Sequence, residues 1–92
     1  MVTVFATAAL GTSVASSGDL ASQAKIPMTR ARQIALKAYP GKVVKEELEQ
    51  EKGGSGLRYS FDIANGNVIH EVGIDAKTGK VLQNSLEAAD ND

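Results

Sequence analysis

The 92-residue sequence contains no cysteine, no tryptophan and only one histidine. The lack of cysteine excludes disulfide bonds, thiolate zinc sites and cysteine nucleophiles, and it leaves the redox compartment undetermined. A single histidine, His70, cannot complete a multi-histidine zinc site, and no His-Glu-x-x-His motif is present. Two tyrosines and two phenylalanines are the whole aromatic content, which predicts one small domain with a modest core and excludes a two-domain enzyme.

The sequence also lacks an excess of charge of either sign. Ten Lys and Arg residues stand against eleven Asp and Glu residues, for a net charge of -1. Proteins that bind nucleic acid or acidic membranes usually carry a clustered basic excess, so we expect neither partner. No run of about 20 strongly apolar residues is present, so we expect no stable membrane span.

Composition divides the chain into three parts. Residues 1–24 contain no Lys or Arg and a single acid. This segment is predicted to be either an export leader, with its apolar stretch at 2–14, or a flexible tail, and the alternation Val2-Thr3-Val4 leaves open that it joins the fold as a strand. Residues 25–86 form the predicted domain, and the acidic residues 87–92 are expected to fray.

One helix is predicted before a series of strands. Thr29 is a good N-cap, and apolar residues at helical spacing continue to Pro40-Gly41, which predicts a helix over about 30–39. Its apolar stripe is narrow and rich in alanine, so the helix is suited to lie close to a sheet. Tyr39 is expected to cover the edge of the core.

The strand segments Leu57–Ala64 and Val68–Asp75 flank Asn65-Gly66, a strong signal for a two-residue hairpin turn. That turn predicts a register in which Phe61 pairs with His70, and it places His70 on the core face as a packed, hydrogen-bonded side chain. Asp75 is expected to accept hydrogen bonds from the following turn, and Val81 begins a short last strand.

Alternation along the preceding strand places Val44, Glu46, Leu48 and Gln50 on the buried face. It places Val43 on the wet face, near Ile69 and Leu82. The predicted class is α+β, with one N-terminal helix packed on a three- to four-stranded antiparallel meander sheet.

The ordered motifs over residues 26–82 resemble the PepSY domain, a module found in the propeptides of thermolysin-type metallopeptidases and in many small exported bacterial proteins. The motifs that carry the resemblance are Ile26-Pro27-Met28-Thr29, Ala35-Leu36-Lys37-Ala38-Tyr39-Pro40-Gly41, Val43-Val44, Glu47-Leu48-Glu49, Tyr59-Ser60-Phe61-Asp62-Ile63 and Glu71-Val72-Gly73-Ile74-Asp75-Ala76-Lys77-Thr78-Gly79-Lys80-Val81.

Two places depart from the family pattern. The family usually has an acidic residue soon after the helix cap, where this chain has Arg30 and Arg32, and an apolar residue where this chain has Glu46. The arginines oppose the favourable end of the helix dipole, which suggests a role in a partner surface. Glu46 is expected at the periphery, with its carboxylate in solvent.

The resemblance implies non-enzymatic work outside the cytoplasm: holding, inhibiting or assisting the folding of a peptidase. The leading hypothesis is a periplasmic or secreted bacterial protein that binds an extracytoplasmic partner such as a metallopeptidase. The alternative is a structural module that forms a homodimer through the sheet edge or the exposed face, since a small core gains from dimerisation. No cofactor, metal site or catalytic residue is predicted.

The first strand and its neighbours are the candidate binding surface, because an exposed edge strand offers unpaired backbone groups to another strand. Glutamate recurs at every second position of this strand, at Glu47, Glu49 and Glu51. We interpret this series as a solvated face rather than a calcium site, which needs about six or more converging oxygens. The candidate partner-binding residues are Val43, Lys45, Glu47, Glu49, Ile69 and Glu71.

Overall fold

The computed structural model describes residues 20–87, in which one long helix lies on a four-stranded antiparallel sheet. The elements are α1 (Met28–Ala38), β1 (Lys42–Gln50), β2 (Leu57–Asn65), β3 (Val68–Asp75) and β4 (Val81–Leu86). The strands follow one another in the order β1-β2-β3-β4, so β1 and β4 are the edges. The predicted class and the helix-before-sheet order are confirmed. The predicted leader stretch at 2–14 and all but the first residue of the acidic tail lie outside the described residues.

Helix α1 begins earlier than the sequence suggests. Its N-cap is Pro27, whose carbonyl accepts the N–H groups of Arg30 and Ala31 at 3.0 and 3.1 Å. The prediction that Thr29 caps the helix is wrong, because Thr29 lies inside the first turn and no side chain caps this end. Pro27 itself is extended, with φ -76° and ψ 159°, so the helix begins at Met28 without a side-chain cap.

Small residues let α1 approach the sheet closely. Ala31 and Ala35 are completely buried, and the helix packs across β2, β3 and β4. Residues 20–23, before the helix, are also helical, and Leu20 and Ala24 pack against the core. The buried apolar residues are Ala31, Ala35, Leu57, Tyr59, Phe61, Ile63, Val72, Ile74 and Ala76.

The β2–β3 hairpin turns on Gly66 and Asn67, so the predicted turn at Asn65-Gly66 is one residue too early. Gly66 supplies the positive φ, at +64°. Phe61 therefore pairs with Val72 instead of His70, and each predicted partner is displaced by two residues. A displacement of two preserves the alternation, so the predicted faces of both strands are nevertheless observed.

A β-bulge interrupts β1 between Val43 and Lys45. Val43 pairs with Ile63 and packs against the core, whereas Val44 is 51% exposed. The predicted placement of these two valines is therefore reversed, because the bulge inserts one extra residue and changes the parity of the strand. The predicted apolar patch of Val43 with Ile69 and Leu82 is wrong for the same reason.

His70 lies at the margin of the core. It is half-buried, its ring stacks on that of Tyr39 with centroids 3.8 Å apart, and its Nδ1 is 2.8 Å from Oδ1 of Asn84. Asn84 in turn donates to the Ala38 carbonyl at 3.3 Å. The packed, hydrogen-bonded histidine and the covering tyrosine predicted from the sequence are both found.

One end of the outer sheet face, the face without α1, is covered by the loop between β1 and β2. Asp75 is 1% exposed and accepts the N–H groups of Lys77 and Thr78, as predicted, together with the N–H and the hydroxyl of Ser55. Arg58 is 7% exposed and donates to the Lys52 carbonyl. The prediction of a mostly wet face therefore fails at this end, because the loop folds back onto it.

Within residues 20–87, no helix is long and apolar enough to cross a membrane.

Candidate protein-binding site

A largely apolar groove of about 830 Å³ runs between the segment before α1 and the edge strand β1. We call it the β1 groove. The groove exists because α1 packs over β2, β3 and β4 and does not cover β1. The segment before α1 therefore lies beside the core side of β1. Its lining residues are Ala21, Ala24, Lys25, Ile26, Pro27, Met28, Glu46, Glu47, Leu48, Glu49 and Tyr59.

The wall before the helix is held in place by backbone hydrogen bonds. The N–H groups of Lys25 and Ile26 both donate to the Ala76 carbonyl, at 2.9 and 3.1 Å. The Tyr59 hydroxyl donates to the Ile26 carbonyl at 2.7 Å, and burial raises the pKa of this phenol. The groove is thus anchored from both the β3–β4 turn and the centre of the sheet.

The opposite wall is the free edge of the sheet. Glu51 donates its backbone N–H to the Gly56 carbonyl at 3.1 Å, which marks a hydrogen-bonded pair in the β1–β2 ladder. Bonded and non-bonded pairs alternate in an antiparallel ladder, so the backbone groups of Glu47 and Glu49 also face β2. The β1 residues whose backbone groups face away from β2 are Glu46, Leu48 and Gln50.

Carboxylates form the rim of the groove. Glu49 accepts the Ser60 hydroxyl at 2.7 Å, and Lys45 Nζ is 3.7 Å from Glu47 Oε2. Burial raises the pKa of Glu49, and the nearby carboxylates of Glu51 and Glu47 raise it further, although the Ser60 hydrogen bond opposes the shift. The rim therefore carries acidic groups that repel one another.

Glu46 is held by the helix rather than released to solvent. Its carboxylate accepts Nε and Nη2 of Arg32 at 3.0 and 2.9 Å, and both side chains are about one-third exposed. Glu46 is peripheral as expected, but its carboxylate pairs with Arg32 instead of being free in solvent. The predicted role of Arg30 and Arg32 in a partner surface stays a prediction. The ion pair joins α1 to β1 beside the groove.

Five of the six predicted binding residues share the outer sheet face, and their role in binding stays a prediction. Lys45, Glu47 and Glu49 lie along the outer side of β1, and the last two also line the groove. Ile69 and Glu71 lie on β3, two strands away and about 10 Å across the sheet. Val43 packs against the core.

A second acidic region surrounds Asp62 on the outer face. Burial raises the pKa of Asp62, and the negative charges of Glu87 and Glu71 raise it further, whereas Lys45 lowers it. Among residues 20–87, no three His, Cys, Asp or Glu side chains are placed to hold a metal ion. This region is an electrostatic feature of the outer sheet face.

Sequence reasoning missed the apolar wall of the site. Ile26, Met28 and Tyr59 were named only among the family motifs, and Leu48 was assigned only to the buried face of its strand. Their shared position follows from tertiary packing, which brings Ile26 and Tyr59 together across 33 positions of sequence. The signal that was present is an apolar segment, Ile26-Pro27-Met28, just before the helix predicted over about 30–39.

Comparison with known proteins gave a family match over most of the described residues. The family model described as "Peptidase propeptide and YPEB domain" matches residues 25–83, which include the helix, almost the whole sheet and most of the groove. Searches of curated proteins and of solved structures found no significant match. The match spans more than half of the chain, and the chain therefore belongs to the PepSY family.

Proposed function

We propose that this protein is an exported, non-enzymatic PepSY module that modulates a peptidase by protein–protein contact at the β1 groove. The carrying observation is the meeting of an apolar groove of about 830 Å³ with a sheet edge whose backbone groups face outward. Apolar side chains of a partner gain from burial in the groove, and its backbone gains hydrogen bonds from β1.

The mechanism is steric blocking. The side chains that line the groove do not include an oriented nucleophile and base, and His70, which is on β3 outside the groove lining, contacts Tyr39 and Asn84. A partner loop held at the groove is covered by the module and kept from its substrate. The family description, which names peptidase propeptides, supports a peptidase as the partner class, and an extracytoplasmic site of action, periplasmic or secreted, goes with it.

The test is a titration of the full chain against a thermolysin-type peptidase that cleaves a fluorogenic peptide, with the intact mass of the chain measured afterwards. We expect saturable inhibition by uncleaved chain. Leu48→Ala, which removes a groove side chain, is expected to weaken inhibition about tenfold. Val68→Ala, at an exposed position outside the groove lining, is the matched control. Absence of inhibition at high excess of intact chain would contradict the proposal for this peptidase class.

Self-association is the second candidate, and the opposite edge favours it. Strand β4, Val81–Leu86, carries no charged residue, and its Val81 and Leu86 are 42% and 68% exposed. An uncharged edge strand with exposed apolar side chains is prone to pair with another chain. Sedimentation over a range of concentrations tests this candidate, because a dimer should be lost in Leu86→Lys and kept in Glu47→Lys.

A further inference from the structure

The chemistry of the β1 groove also restricts what it binds, and this inference rests on the proposed function. Side chains of β1 alternate between two environments. Leu48 points to the helix side, where it lines the groove with Ile26 and Met28, whereas Glu47 and Glu49 lie on the outer side, paired with Ser60 and Arg58 of β2. A strand added along β1 presents the same alternation, because directly opposed residues share a face.

The outward-facing backbone groups of β1 are also centred on Leu48. The N–H and C=O of Leu48 face away from β2, as do those of Glu46 and Gln50. Among residues 20–87, no backbone hydrogen bond reaches these outward groups. An added strand centred opposite Leu48 therefore finds a continuous row of donors and acceptors, with the apolar groove beside it.

The acidic rim disfavours a second copy of this chain as the occupant. Antiparallel pairing of two β1 strands centred on Leu48 would place Glu47 opposite Glu49 of the other copy, twice, beside the centre of the pairing, and Lys45 would face Glu51 only at its two ends. Like charges directly opposed destabilise a sheet, and Glu49 already experiences repulsion from Glu47 and Glu51. A basic partner relieves this repulsion.

We propose that the β1 groove binds an extended segment with the pattern basic–apolar–basic. Its apolar side chain lies opposite Leu48 and enters the groove between Ile26 and Met28, and its two Lys or Arg side chains lie opposite Glu47 and Glu49 on the outer side. The pattern joins strand addition, apolar burial and charge pairing in three consecutive residues.

The test uses the full chain and a fluorescein-labelled peptide, acetyl-Thr-Lys-Val-Lys-Thr-amide, followed by anisotropy and by amide chemical shifts in NMR spectra. We expect binding at low salt, with the largest shifts in β1 and in residues 24–28. The charge-reversed peptide acetyl-Thr-Glu-Val-Glu-Thr-amide should bind at least about tenfold more weakly, because each opposed pair changes from attraction to repulsion.

Two variants separate charge from strand addition. Glu47→Gln with Glu49→Gln should lower the affinity for the Lys peptide about fivefold or more, whereas the matched pair Glu71→Gln with Glu87→Gln, which removes the same charge from the outer face elsewhere, should leave it within twofold. Gln50→Pro removes one outward N–H and keeps the β1–β2 ladder, so it should weaken binding while the fold persists.

Several outcomes would overturn the inference: equal binding of the two peptides, equal effects of the two double variants, or shifts confined to β4. The same variants are assayed against the peptidase. Inhibition without binding of the Lys peptide overturns the partner pattern and leaves the proposed function standing. Binding of the Lys peptide without inhibition supports the partner pattern and contradicts the proposal that this class of peptidase is the partner.

Discussion

The guanidinium of Arg32 in α1 holds the carboxylate of Glu46 in β1 through two hydrogen bonds, with Nε to Oε1 at 3.0 Å and Nη2 to Oε2 at 2.9 Å. Arg32 and Glu46, the positions at which the sequence analysis noted departures from the family pattern, are therefore partners in one ion pair. A carboxylate on the core side of an edge strand is tolerated here because a helix arginine reaches it. The hydrogen bonds with Glu46 also raise the pKa of Arg32.

A double-mutant cycle measures this pair. Arg32→Ala and Glu46→Ala should each destabilise the fold, and their coupling free energy should be between about 0.5 and 1.5 kcal/mol, above that of an average surface pair because the contact is bidentate and two-thirds buried. Urea unfolding of the four proteins gives the value. A coupling that is zero at low salt would show that the pair contributes nothing to stability.

The low pKa of Asp75 predicts how the free energy of unfolding changes at acidic pH. Burial alone would raise its pKa, but hydrogen bonds from Ser55, Lys77 and Thr78 lower it from 3.8 to about 2. A carboxyl whose pKa is depressed in the folded state contributes stability above its unfolded pKa, and that contribution is lost as the pH falls from about 4 to about 2.

Asp75→Asn should therefore destabilise the protein at pH 7 by roughly 2 to 4 kcal/mol, because three N–H donors and a hydroxyl lose a charged acceptor. The variant should also lose most of the slope of stability against pH between about 4 and about 2. Chemical denaturation across that range checks both effects. An unchanged acid slope in the variant would assign the slope to other carboxyls.

The pKa of Asp62 is shifted in the opposite direction to that of Asp75, so its effect on stability at neutral pH is also opposite. Burial and the charges of Glu87 and Glu71 raise its pKa, so its ionised form costs stability at neutral pH. Asp62→Asn should stabilise the protein at pH 7 by a few tenths of a kcal/mol, and this gain should vanish as the pH falls below the pKa of Asp62. Thermal unfolding of wild type and variant at pH 7 and pH 3 tests the sign. Destabilisation at pH 7 would mean that attraction to Lys45 outweighs burial and repulsion.

Local signals in the sequence were sufficient for the elements but not for their exact pairing. The Asp75 turn was predictable because acceptor and donors are within three residues of one another. The hairpin register was not, because Asn65-Gly66-Asn67 contains two overlapping two-residue turn signals. In the observed register His70 stacks on Tyr39, a contact that no local pattern reveals.

Of the candidate site, only the outer side of β1 could be predicted from the sequence. Alternation along β1 indicated that Lys45, Glu47 and Glu49 share a face, and the structure agrees. The bulge that turns Val43 inward depends on which of two adjacent valines packs better, and their hydrophobicity is the same. The groove itself needs the segment at residues 21–28 to fold along β1, which is a tertiary relationship.

Residues 20–24, at the start of that segment, test the domain boundary that the sequence placed after residue 24. Leu20 and Ala24 pack against the core, and Ala21 and Ala24 line the β1 groove. Removal of residues 1–24 should therefore lower the free energy of unfolding by about 1 kcal/mol relative to removal of residues 1–19, because a half-buried leucine and an alanine lose their contacts.

The shorter form should also bind the Lys peptide more weakly, since part of one groove wall is missing. Urea unfolding and anisotropy on the two truncated proteins, compared directly with each other, make the test. Equal stability and equal affinity would place the functional boundary of the domain at Lys25, where the family match begins. A difference in both would mean that a cleavage after Ala24 weakens the domain and its groove together, so that residues 20–24 belong to the working module.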